Sequence, residues 1–139
     1  MKTLFVFLAL ALTTTAFAKT TQQLLQDIAD NADVANGNAE VKKGSFNQKA
    51  ADAQMKNWKS RWDNCTFTKP YVDDKALSSL LKYSDDSVTV NAIKELQKSH
   101  LVTKVYGYET DNDIACSQVW INVYTKDGYV LELWYGLGD

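Results

Sequence analysis

The last third of the chain changes its hydrophobic period, and that change limits the fold more than any other feature. From Leu101 to Tyr135, β-branched, apolar and aromatic residues gather in three runs, Val102 to Tyr106, Val119 to Thr125 and Tyr129 to Tyr135, divided by turn signals. This pattern predicts a three-stranded antiparallel meander. Asp127-Gly128 between the last two runs is a hairpin signal. A two-residue loop there sets Tyr124 opposite Leu131, Asn122 opposite Leu133 and Trp120 opposite Tyr135, with Ile121 meeting Trp134 and Val123 meeting Glu132 on the other face. Both faces are then rich in apolar groups, so helices must cover at least one of them.

The preceding residues supply those helices. Leu24, Leu25, Ile28, Ala29 and Ala32 fall on one face of an amphipathic helix over 21–35, which ends at Asn36-Gly37-Asn38. Residues 39–44 read as a polar connector. Ser45 followed by Gln48 matches a capping box, and Ala51, Met55, Trp58 and Trp62 form an apolar stripe on a helix over 46–62. Pro70 confines any strand over 66–72 to a sheet edge. Asp73-Asp74 opens a short helix bearing Leu77, Leu80 and Leu81, and Asp85-Asp86-Ser87 opens another that turns Val90, Ile93 and Leu96 inward. The expected fold is α+β: three to four N-terminal and central helices on a C-terminal three-stranded antiparallel meander, with an extra edge strand near 66–72. Residues 45–139 are expected to form the domain, with 19–44 as a preceding helix and connector.

Lys2 stands before an apolar run from Leu4 to Leu12 that is too short to span a bilayer, and Ala16-Phe17-Ala18 offers small residues where a signal peptidase reads. Residues 1–18 thus read as a cleaved signal peptide, with export to a periplasm or to the outside. Cys65 and Cys116 are the two cysteines of the chain, and an even pair in a small exported domain predicts a disulfide. Closing a loop of about 50 residues contributes about 4 kcal/mol in the chain-entropy model. Without residues 1–18 the chain carries 14 basic and 17 acidic side chains, a formal charge of −3. That balance lacks the basic stripe of a nucleic-acid partner, and no later segment is apolar for long enough to cross a membrane.

Catalytic signatures are sparse. The chain has no Cys-x-x-Cys pair, no His cluster beside its single His100, no Gly-x-Ser-x-Gly elbow and no phosphate-cradling glycine loop. Glu109 to Asp113 is acidic but lacks the glycine and distal glutamate of a helix-loop-helix calcium site, so neither a cofactor nor a metal is expected. Both aspartate pairs stand where helix N-termini attract negative charge.

The candidate binding residues are Trp120, Asn122, Tyr124, Glu132, Trp134 and Tyr135. Seven of the thirteen aromatic residues beyond position 18 lie between Tyr106 and Tyr135, and Tyr and Trp combine contact area with a polar handle. Glu132 and Asn122 interrupt this aromatic surface as polar residues that could orient a ligand. The expected function is a non-catalytic binding module, with an inhibitor as one form of it, recognising a protein or envelope component through the sheet. The alternatives are a small-molecule or enzymatic pocket between sheet and helices that uses Glu132 or His100, and a structural or assembly protein. The order of Ile93 to Leu96, Val105 and Asp127-Gly128 resembles that of PepSY-like, cystatin-like and NTF2-like exported modules, and no functional residue is carried over from it.

Overall fold

The computed structural model describes residues 18–31, 37–67, 77, 86–110, 116 and 118–136, and of Gly37, Tyr135 and Gly136 the backbone alone. The expected signal peptide, apart from Ala18, lies outside these residues, as do residues 68–72 and most of the expected short helix around Leu77. Leu77 itself is helical and buried.

The elements run α1 (Thr21–Asn31), β1 (Gly37–Lys43), α2 (Gln48–Arg61), α3 (Ser87–Ser99), β2 (Val102–Glu109), β3 (Gln118–Thr125) and β4 (Tyr129–Gly136). The fold is α+β, with one four-stranded sheet in the order β1-β4-β3-β2, every neighbouring pair antiparallel. The meander β2-β3-β4 is as expected. The fourth strand comes from residues 37–43, the segment read as a connector, where Ala39 and Val41 turn to the core while Asn38, Glu40 and Lys42 alternate with them. Two small apolar residues among charges are a faint period-two signal, and charged side chains suit a strand that leaves one edge unpaired. In the segment expected to give an edge strand, Phe67 makes a single antiparallel bridge to Thr110.

The helix starts follow local chemistry. At α1 the Thr20 hydroxyl accepts from the Gln23 N–H while the Gln23 side chain accepts from the Thr20 N–H, a reciprocal cap. α2 is capped by Asn47, whose Oδ1 accepts from the Ala50 N–H at 2.9 Å, and not by the expected Ser45-Gln48 box. Asp86 caps α3, accepting from the Thr89 N–H at 2.7 Å. That bond holds the Asp86 carboxyl below its ordinary value of 3.8. A depressed carboxyl stabilises the fold when ionised, so its contribution is complete above the ordinary value and lost as pH falls through the folded one. Asp86→Asn, which keeps a cap but does not titrate, should therefore flatten the acid side of the thermal midpoint against pH below about pH 4. An unchanged acid slope would contradict that role.

The two sheet faces pack different layers. On one, Leu25, Ile28, Ile93 and Leu96 of α1 and α3 meet Val105, Ile121, Val123 and Leu131 in an aliphatic core. On the other, Ala51 and Met55 of α2 press on Tyr106, Trp120, Tyr124 and Val130. Helices thus cover both faces, which explains why every residue of β3 after Gln118 is buried.

The hairpin register differs from expectation by one residue. Trp120 pairs with Trp134, Asn122 with Glu132 and Tyr124 with Val130, while Ile121 pairs with Leu133 and Val123 with Leu131. The loop has three residues, Lys126 to Gly128. Gly128 takes φ +83° at its third position, its N–H donates to the Thr125 carbonyl at 3.2 Å, and the Thr125 hydroxyl accepts from the Tyr129 N–H. Asp-Gly thus serves a three-residue loop closed by a left-handed glycine instead of a two-residue turn. With a side-chain period of two, this slip moves Val130, Glu132 and Trp134 onto the face of Trp120, Asn122 and Tyr124.

A tryptophan-lined cleft

The corrected register orders the α2-facing side of the sheet into rows. Asn38, Trp134, Trp120 and Tyr108 follow one another across β1, β4, β3 and β2, and Glu40, Glu132, Asn122 and Tyr106 form the adjacent row. The first row is a wall of rings, with Tyr108 stacked on Trp120 at 6.4 Å between centroids and 6° between planes. The second is polar at its centre.

Helix α2 runs over these rows. Its Ala51 and Met55 belong to the core, but Gln54, Trp58, Arg61 and Trp62, at steps of four, three and one, line an open cleft. Asn38, Trp120, Glu132, Leu133 and Trp134 form the opposite side, and the cavity measures about 380 Å³. All four tryptophans of the chain converge there, with Trp58 and Trp120 6.3 Å apart. The apolar stripe read on this helix therefore divides along its length: Ala51 and Met55 are buried in the core, while Trp58 and Trp62 are half-buried and line the cleft.

The disulfide joins the segments that follow one wall of the cleft and precede the other. Cys65 follows the C-terminal end of α2, Cys116 precedes β3, and their bond ties the turn carrying Trp58, Arg61 and Trp62 to the strand carrying Trp120. Within that turn the Trp62 N–H bonds to the Lys59 carbonyl and the Cys65 N–H to the Trp62 carbonyl. The backbone at Trp62 is thus held by local bonds.

Polar groups in the cleft are partly committed. Lys42 reaches Glu132 at 2.8 Å, and this hydrogen bond raises the Lys42 pKa. Asn122 lies below with no exposed surface, and its Nδ2 donates to the Tyr124 hydroxyl at 3.2 Å and to Gln54 Oε1 at 3.4 Å. Asn122 Oδ1 and Trp134 Nε1 are buried atoms that find no hydrogen-bond partner. Further along the face, the buried Tyr106 hydroxyl bonds to Asp52 at 3.1 Å, and burial first and Tyr108 second push its phenol above the ordinary range.

Of the expected site residues, Trp120, Glu132 and Trp134 line the cleft and Asn122 lies beneath Gln54. Tyr124 is buried under α2, where Phe46 meets it edge-on at 5.3 Å. Tyr135 pairs with Val119 and Gly37 through its backbone, and its side chain is outside the described residues. The residues that sequence reasoning left out of the site are Asn38, Gln54, Trp58, Arg61 and Trp62. The spacing of Gln54, Trp58, Arg61 and Trp62 was a usable signal, but nothing in it says that α2 stands away from the sheet at this end.

His100 caps α3 in a left-handed conformation, at the junction with β2, and is not among the residues that line the cleft. Among the described residues, no three His, Cys, Asp or Glu side chains gather into a metal-binding group, and no helix is long and apolar enough to cross a membrane. Compared with protein-family models, curated proteins and solved structures, the chain matches none.

Proposed function

We propose that this chain is an exported, non-catalytic binding module whose ligand enters the tryptophan cleft between α2 and the sheet. The observation that carries this reading is the convergence of all four tryptophans on one open cavity. Trp58, Trp62 and Trp134 are half-buried there, so part of each ring faces the open cavity. A cavity of about 380 Å³ lies at the lower end of the roughly 300–1,000 Å³ typical of small-molecule sites. The signal-like residues 1–18 and the Cys65–Cys116 bond support export.

Recognition through an open sheet face is less favoured, because α2 covers Trp120 and Tyr124. Acid-base catalysis also has less support. Glu132 is the one carboxylate among the lining residues, and Lys42 already pairs with it.

Ligand retention tests the proposal. The oxidised protein, equilibrated with a small-molecule extract of its source and then desalted, should release a bound compound on heating. A folded Trp62→Ala variant should retain none of it. Equal retention by both, or by neither, would contradict the cleft as the binding site.

A further inference from the structure

We infer that the cleft takes a neutral saccharide, one pyranose ring lying against its indoles and its hydroxyls held by Gln54, Arg61 and Glu132. This inference rests on the reading of the cleft as the binding site, and it follows from the charge and the hydrogen-bonding capacity of the lining.

The lining carries one cation, Arg61, and one anion, Glu132, to which Lys42 is paired, so the excess is a single positive charge on the exposed Arg61, where water and salt screen it. An organic cation would want an unpaired carboxylate among the rings, but Lys42 already occupies Glu132 at 2.8 Å and Arg61 adds a second positive charge. An anion would find the screened charge of Arg61 but would also meet the Glu132 carboxylate and the negative faces of the indoles. A neutral ligand meets neither obstacle.

The polar groups are mixed in kind. Arg61 only donates, Glu132 only accepts, and Asn38 and Gln54 do both. The Gln54 carbonyl is engaged by Asn122, which leaves its amide N–H groups for a ligand. Hydroxyl groups suit such a set because each donates and accepts at once. The C–H bonds of a pyranose face, weakly positive, suit the negative face of an indole. A purely apolar ligand would cover the Gln54 amide and the Arg61 guanidinium without bonding to them, a cost that a saccharide avoids.

The test uses the oxidised protein and five probes: the tetrasaccharides of N-acetylglucosamine, β-1,4-glucose and α-1,4-glucose, with choline and benzoate as charged comparisons. Binding is read by tryptophan emission and by titration calorimetry for the native chain, Trp62→Ala and Arg61→Ala, each first shown to unfold cooperatively. At least one tetrasaccharide should bind, with affinity reduced about tenfold or more in Trp62→Ala and less in Arg61→Ala, while choline and benzoate should not bind. Silence of all three tetrasaccharides, or equal binding to Trp62→Ala, would overturn the saccharide inference. Choline or benzoate binding that Trp62→Ala abolishes would overturn the ligand class while leaving the cleft as the binding site. Silence of all five probes alongside a compound retained from the native extract would do the same.

Discussion

Removing the Cys65–Cys116 bond by replacing both residues with Ala should lower stability by roughly 4 kcal/mol, the loop-closure entropy for a separation of 51 residues. For a domain whose net stability is about 5–15 kcal/mol, that is a large share. The loss should appear as a lower urea midpoint for the double variant against the oxidised chain. A difference below about 1 kcal/mol would mean that the unbridged chain keeps the two ends together by other contacts. Because the bond ties the end of α2 to the start of β3, ligand retention should fall in the double variant even where both proteins are fully folded.

The second large effect is expected at Gly107. This residue pairs with Ile121 where β2 and β3 approach closely, and a Cβ placed on it would lie 2.2 Å from the Trp120 carbonyl oxygen and 2.8 Å from the Ile121 Cα. Both are backbone atoms, so no side chain can rotate away. Gly107→Ala must therefore push β2 away from β3 and disturb the ladder that carries Trp120. Overpacking typically costs 1–3 kcal/mol, and with backbone on both sides the loss should be roughly 3 kcal/mol. Gly128→Ala isolates the other reason for a glycine, since open space surrounds that site and only its φ of +83° is unfavourable. It should cost about 1 kcal/mol. Chemical denaturation of the two variants compares them directly, and equal losses would remove the close-approach explanation.

Much of the fold was legible because its cues are local. The period-two runs of the meander, the apolar faces of α1 and α3 and the Asp86 cap each depend on residues within a few positions of one another. What escaped was decided by contacts between distant segments. β1 reads as a connector because only Ala39 and Val41 mark its buried side, and its pairing with β4 spans most of the chain. The hairpin slip turned on whether Gly128 takes the second or the third place in the loop, a choice that the Asp-Gly pair leaves open.

The site was legible in the same uneven way. Trp120, Glu132 and Trp134 were singled out for their residue types, and all three line the cleft. The shifted register makes Asn122 and Glu132 cross-strand neighbours on one face, where a two-residue loop would have separated them. Trp58 and Trp62 sit at helical spacing that reads equally as core, and only the packing of Ala51 and Met55 shows where core ends and cleft begins. Tyr124 satisfied the same compositional argument and is buried by α2, because composition does not reveal which part of a face a helix will cover.

The most direct measurement is a pair of nitrogen-proton correlation spectra of the oxidised protein, one with the compound retained from its native extract and one stripped of it. Each tryptophan contributes an indole Nε1–H signal, and all four side chains border the cleft. The expected result is that these indole signals shift together on ligand removal while the amides of α1 and α3, across the sheet, stay in place. Shifts confined to α1 and α3, with the indole signals unmoved, would contradict a ligand in the tryptophan cleft.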